Sequence, residues 1–177
     1  MQVNEKNLKT FIENAENVSA FVYKSKTIND ATLECIKICE QKGKRNIAVP
    51  DPEIAKLFNT NFQIISHNIY DKRENIDMAF TLCEAGIAKT GSLVINSSDE
   101  NLRIATMLCD IHVAVVKASD IAESASQLSG KLKDDMNSSS NYTAFITGAS
   151  RTADIERTLA IGVHGPLELH IIILEGI

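Results

Sequence analysis

The 177-residue chain contains no tryptophan, and its aromatic share is 5%. A core built around large aromatic rings is therefore disfavoured. Ile, Leu, Val and Ala must fill the interior, which suits layered helices and sheet better than an aromatic-rich β-sandwich. Long apolar runs are missing too. The longest, Leu169 to Leu174, is interrupted by His170, far short of the roughly 20 residues a membrane helix needs. Basic residues do not predominate: 18 Lys+Arg face 23 Asp+Glu, a formal charge of −5. No basic stripe exists, so no nucleic-acid partner is expected. The four cysteines, Cys35, Cys39, Cys83 and Cys109, include no C-x-x-C pair. That leaves no iron–sulfur run and no complete zinc tetrahedron, so no metal and no cofactor is expected on this chain. The opening Met1–Glu5 stretch is polar and acidic, without the basic and apolar regions of a secretory signal, so cytoplasmic residence and free thiols are expected.

What is present suits one globular domain. Apolar residues make up 44% and charged residues 23%, close to the globular average. Helical spacing marks a first helix from Asn4 to Ser19 and a second from Ile28 to Gln41, stopped by Gly43. Residues 1–44 thus read as a helical segment packed on an α/β domain formed by residues 45–177. In that domain, Asn46–Pro50 is a short buried strand. Asp51-Pro52-Glu53 then opens a short helix with a cap, an N-terminal proline and an acid. Phe62–Ser66 reads as a strand and Ile76–Glu84 as helical. Gly86–Asn96 forms two short strands around Lys89-Thr90-Gly91. Ser97-Ser98-Asp99-Glu100 looks like a capping box for a helix reaching Cys109. Ile111–Val116 is apolar enough for a strand covered on both faces. A helix with Ile121, Ala125, Leu128 and Leu132 on one stripe follows, then a polar loop over Asn137–Asn141. A strand at Thr143–Thr147, a turn over Gly148–Thr152, a helix from Ala153 to Ile161 and a final strand at Leu169–Leu174 complete the chain. Alternation of strands and helices predicts a mainly parallel sheet between helical layers.

Three segments carry candidate chemistry. In Thr147-Gly148-Ala149-Ser150-Arg151-Thr152-Ala153-Asp154, a small-residue turn leads from a strand into the expected helix. Helix-terminal amides, the Arg151 guanidinium and the Ser150 and Thr152 hydroxyls suit a phosphate or carboxylate. The same residues also make an ordinary loop in which Ser and Thr cap the helix and Arg151 pairs with Asp154 or Glu156. Gly148-x-Ser150 falls short of a nucleophile elbow, because Thr152 stands at the last glycine position. In Glu84–Ser92, Glu84 is a candidate nucleophile or general base, and Thr90, Gly91 and Ser92 offer donors to a ligand. The alternative is a tight hairpin that needs Gly91 for positive φ. In Gly162-Val163-His164-Gly165-Pro166, His164 suits proton transfer and Gly165 a turn beside it.

Ile146–Glu156, with Leu159–Pro166 and Glu168–Ile171, resembles the C-terminal signature of the lactate utilization protein C family, the LUD domain. Glu84–Val94 resembles that family's E-x-G-x-A-x-T-G-[ST] segment, and Leu102–Ala105 with Ile111–Val116 resembles its next helix and strand. The resemblance spans about residues 45–174. It implies a three-layer α/β/α fold like that of glucosamine-phosphate isomerases, ribose-phosphate isomerases and CoA transferases. It also implies a part in bacterial oxidation of L-lactate to pyruvate beside iron–sulfur proteins that carry the redox groups. The partners so implied are iron–sulfur subunits and a small anionic ligand, with a homodimer as a further candidate. A stand-alone enzyme of the CoA-transferase or sugar-phosphate isomerase kind, and a non-catalytic regulator or scaffold, are the alternatives.

Overall fold

The computed structural model describes residues 3–96, 99–130, 143–149, 151–153, 159–161 and 165–176. Helix α1, Glu5–Asn17, starts where the Asn4 side chain accepts from the Asn7 amide, and it buries Leu8, Phe11 and Ala15. Strand β1, Phe21–Ser25, leads to helix α2, Ile28–Gln41, opened by a reciprocal Thr27–Asp30 capping box. Gly43, at φ +66°, turns the chain out of α2. Strand β2, Asn46–Ala48, is followed by helix α3, Pro52–Ala55, whose first amides, on Glu53 and Ile54, donate to Asp51. Strand β3, Gln63–Ile65, a 3₁₀ turn at Tyr70–Asn75 and strand β4, Met78–Leu82, come next. Strands β5, Ala85–Ile87, and β6, Ser92–Asn96, form a hairpin, and helix α4, Glu100–Leu108, leads into β7, Ile111–Lys117. The remaining strands are β8, Ile121–Ala122; β9, Thr143–Ile146; β10, Arg151–Ala153; β11, Leu159–Ile161; and β12, Glu168–Leu174.

Six strands form one sheet in the order β1-β12-β7-β4-β2-β3, and every neighbouring pair is parallel. Alternate side chains divide its two faces. On one face Ile47, Phe80, Val113 and Ile172 pack against Ala31, Cys35 and Ile38 of α2 and Ile54 of α3. On the other, Ala114, Val116, Ile171 and Ile173 meet Leu8, Phe11 and Ala15 of α1. Further along that face, Ala48 and Ala79 meet Ala105 of α4. A second, four-stranded sheet, β8-β5-β6-β9, packs beside α1. The architecture is the expected three-layer α/β/α arrangement around a mainly parallel sheet.

The structure corrects several element assignments. Ile76–Glu84 is not helical, because Met78–Leu82 is a central strand with Met78 to Thr81 buried. A five-residue run with four apolar side chains fits either state by periodicity, and cover on both faces decides for strand. The expected helix from Ile121 is instead the short strand β8, in register with Gly86, and a 3₁₀ turn at Ala125–Leu128. Gln127 closes that turn by accepting from the Glu123 amide. Asp99, not Ser97, caps α4, and Ser97 and Ser98 lie outside the described residues, as do Leu132 and the loop at Asn137–Asn141. No helix opens at Ala153: Arg151–Ala153 pairs antiparallel with Leu159–Ile161. Strand β1 went unread because its polar residues hid an edge strand, and its pairing with β12 places Phe21–Ser25 in the main sheet.

Two histidines sit inside this sheet. His170 is stacked between Phe21 and Tyr23, with ring centroids 4.7 and 5.7 Å away. Its Nε2 donates to Glu168 (2.9 Å), its Nδ1 accepts from the Tyr23 hydroxyl (3.1 Å), and Lys42 donates to Glu168. His112 is fully buried, and its Nε2 lies 2.8 Å from Thr81 Oγ1. Burial depresses the His112 pKa to about 4. A depressed folded-state pKa stabilises the fold above the unfolded value of about 6.5, and that stability is lost as pH falls toward the folded value. The unfolding free energy should therefore drop between pH 6.5 and pH 4, by about 3 kcal/mol from this one group at 1.36 kcal/mol per pKa unit. Urea titrations of the wild type and His112→Leu across that range check this, and the variant should show the shallower pH slope.

Candidate functional site

In a parallel sheet every strand ends at one edge, and ligands bind in the crevices beyond those carboxyl ends. Two clefts lie there. The first, of about 370 Å³, lies between the ends of β2 and β4, with Pro50, Asp51, Thr81, Asp99 and Leu102 among its walls. The chain leaves β2 through α3 toward the outer strand β3, then returns to β4 on the other side of β2. This is the switch point of the sheet. Sequence reasoning missed the cleft because it read β4 as helical. Asp51-Pro52 after an apolar strand was its one visible signal, and it was read only as a helix cap.

The second cleft, of about 260 Å³, lies beyond the ends of β4 and β7. Glu84, Ser119, Asp120, Gln127, the α1 cap Asn4 and Asn7 of α1 are among its walls. Glu84 follows β4 by two residues, its amide donating to the Val94 carbonyl, and its exposed side chain stands at the cleft wall. The candidate base is therefore at the working edge of the sheet.

The Thr90–Ser92 turn and the Thr147–Gly148 turn, far apart in sequence, come together because β6 pairs antiparallel with β9. Ser92 Oγ lies 2.7 Å from Thr90 Oγ1 and 2.6 Å from Thr147 Oγ1, which links three hydroxyls. Both glycines press against the end of α1. A Cβ on Gly91 would stand 2.3 Å from the Ala15 nitrogen, and one on Gly148 would stand 2.3 Å from the Val18 carbonyl oxygen. The Asn14 amide closes the junction by donating to the Ala88 and Lys89 carbonyls. Lys89 in turn pairs with Glu123 at 3.0 Å. The turn glycines thus meet a packing requirement whatever else the turns do.

The backbone of Arg151 and Thr152 lies in strand β10 rather than in a turn that opens a helix at Ala153. Gly165, at φ +111°, shapes the turn that leads into β12. Ser150, Asp154 and His164 lie outside the described residues. All four cysteines are free. Burial raises each thiol pKa, to about 11 for Cys39 and about 12 for Cys109, so none offers a thiolate near neutrality. Among the described residues no three His, Cys, Asp or Glu side chains gather as a metal site, and no helix is long and apolar enough to cross a membrane.

Residues 8–174 match the family model described as the LUD domain. The chain is 26% identical over 152 residues to lactate utilization protein C of Halalkalibacterium halodurans, covering 78% of this chain and 66% of that protein. A Neisseria meningitidis protein is 34% identical over 149 residues, covering 75% of this chain and 62% of its own. Lactate utilization protein C of Bacillus subtilis is 30% identical over 107 residues, covering 59% of this chain and 45% of its own length. The chain therefore spans between about half and two thirds of these relatives. A crystal structure of a DUF162 family protein from Deinococcus radiodurans superposes with a TM-score of 0.76 at 16% identity, covering 96% of this chain and 97% of the other. That likeness establishes the fold.

The glycine contacts give a graded expectation. Gly91→Ala and Gly148→Ala combine positive φ with a backbone clash and should each cost roughly 2–5 kcal/mol. Gly43→Ala, at φ +66° with nothing within 4 Å, should cost only about 1 kcal/mol of conformational strain. Melting temperatures of the three variants test the order.

Proposed function

From the premise that the chain belongs to the LUD-domain family, we propose that it is a component of a lactate-utilization system. It binds a small carboxylate or other anionic ligand and acts beside iron–sulfur partners that carry the redox groups. The observation that carries this reading is similarity over 78% of the chain to a protein named lactate utilization protein C. The physical support is local. Glu84 stands beside a cleft at the carboxyl edge of the sheet, and the linked hydroxyls of Thr90, Ser92 and Thr147 offer a separate set of donors in the second sheet. In this reading Thr90, Gly91, Ser92, Gly148, Ser150, Arg151, Thr152, Asp154 and Gly165 form the ligand-binding segments, with Glu84 and His164 as the proton-handling or nucleophilic groups. Arg151 supplies the charge that a carboxylate needs.

Glu84 favours one second reading, a CoA-transferase-like enzyme in which its carboxylate attacks a thioester. The two are separated by experiment. A deletion strain should lose growth on L-lactate while growing normally on pyruvate, and tagged protein from lactate-grown cells should recover iron–sulfur proteins. Normal growth on lactate together with a clean pull-down would overturn the lactate reading. A glutamyl adduct at Glu84, trapped by mass spectrometry after incubation with acyl-CoA, would favour the second. Arg151→Ala should weaken L-lactate or pyruvate binding at least tenfold by calorimetry, about 1.4 kcal/mol, without lowering the melting temperature.

A further inference from the structure

The switch-point cleft has no part in the reading above, yet it is the larger of the two clefts. We propose that it binds a nucleoside, gripping the vicinal hydroxyls of the ribose and seating the base on its apolar walls.

The Thr81 wall of the cleft rests on His112. The ring is fully buried, and its Nδ1 has no hydrogen-bond partner. An orphaned buried N–H costs more than an orphaned lone pair, so the neutral ring carries its hydrogen on Nε2. Nε2 therefore donates to Thr81 Oγ1 at 2.8 Å. With its oxygen already accepting, the Thr81 hydroxyl must give its own hydrogen elsewhere. Thr81 is 3% exposed and lines the cleft. Among the described residues its hydroxyl has no other hydrogen-bond partner, so its hydrogen is offered to whatever occupies the cleft.

Asp51 supplies the complementary half. Its Oδ1 accepts from the Glu53 and Ile54 amides, at 2.9 and 3.2 Å. No described residue donates to its other oxygen, which is left to accept from an occupant. The occupant must therefore both give and take hydrogen bonds, as a hydroxyl does and as an ammonium or a carboxylate does not. Asp51 and Asp99 on the walls also oppose an anion. Pro50, Pro52, Ile54 and Leu102 make the rest of the lining largely apolar, a surface for a flat ring. At about 370 Å³ the cleft has the size of a small-molecule site. A three-carbon acid would leave most of it empty. A sugar diol joined to a base meets all of these conditions.

Isothermal titration of the full chain with adenosine, 2′,3′-dideoxyadenosine and D-ribose tests the assignment. Adenosine should bind, and the dideoxy analogue should bind at least tenfold more weakly, since a site built around hydroxyls rejects the analogue that lacks them. Asp51→Asn should weaken adenosine binding about tenfold while keeping the far-UV spectrum and melting temperature, because asparagine caps a helix as well as aspartate does. Thr81→Val, close to isosteric, should weaken it as well. The proposal is overturned by no adenosine binding into the millimolar range, by equal affinity for the dideoxy analogue, or by unchanged affinity in Asp51→Asn or in Thr81→Val. Ribose binding as tightly as adenosine would assign the cleft to a free sugar and overturn the nucleoside reading. Because L-lactate has no role in this cleft, either result leaves the lactate proposal to its own test.

Discussion

The carboxylate and backbone of Asp77 hold the amino ends of the central strands in register. Asp77 Oδ2 accepts from the Arg45 and Asn46 amides at 3.0 Å each, which anchors the start of β2 beside β4. Its carbonyl accepts from the amides of Asp110 and Ile111, which fixes the start of β7. The Asp110 carbonyl then accepts from Leu167 and Glu168, which fixes β12. Lys44 donates to Asp110 at 2.6 Å and lies 3.8 Å from Asp77, and that pairing raises its pKa. A parallel sheet has no hairpins to set its register. Here one network at the amino edge does that work for four strands, and the carboxyl edge is left to loops and clefts.

The division of labour between the two edges follows. Residues at the amino edge are consumed by one another: Lys42, Glu168, His170 and Tyr23 form a closed chain of hydrogen bonds there. At the carboxyl edge, the loops after β2, β4 and β7 surround two clefts. Helix α1 then fixes the second sheet to the first. It can do so only because Gly91 and Gly148 let two turns approach the helix backbone. The short, glycine-bearing motifs that look like ligand loops are thus also the joints of the molecule. A substitution there would disturb ligand and fold together, which is why the graded glycine series matters.

Legibility from sequence followed local rules. Helices α1 and α2 were readable because caps, periodicity and a stopping glycine agree within one segment. Strands β2, β7 and β12 were readable as apolar runs. Strand β4 was not, because Met78–Leu82 is too short for periodicity to separate helix from strand. Its placement depends on β2 and β7 on either side, which no local signal reports. Strand β8 and the β10–β11 hairpin failed for the same reason, since pairing with distant partners overrides a weak helical stripe. At the candidate site, Glu84 and the Thr90–Ser92 turn were found by motif; Glu84 stands at the carboxyl edge, while the turn packs against the end of α1 that leads into β1. The Asp51–Thr81–His112 arrangement was invisible, because it joins three segments that become neighbours only in the folded sheet.

The central claim is that this protein works from one edge of its sheet. Amide chemical-shift mapping tests it most directly, with isotope-labelled protein titrated separately with L-lactate, pyruvate and adenosine. Perturbations should be confined to the carboxyl edge, around Asp51, Thr81, Glu84 and Ser119, with Asp77, Asp110 and His170 unmoved. Perturbations centred on the Asp77–Asp110 network, or none with any of the three ligands, would contradict it.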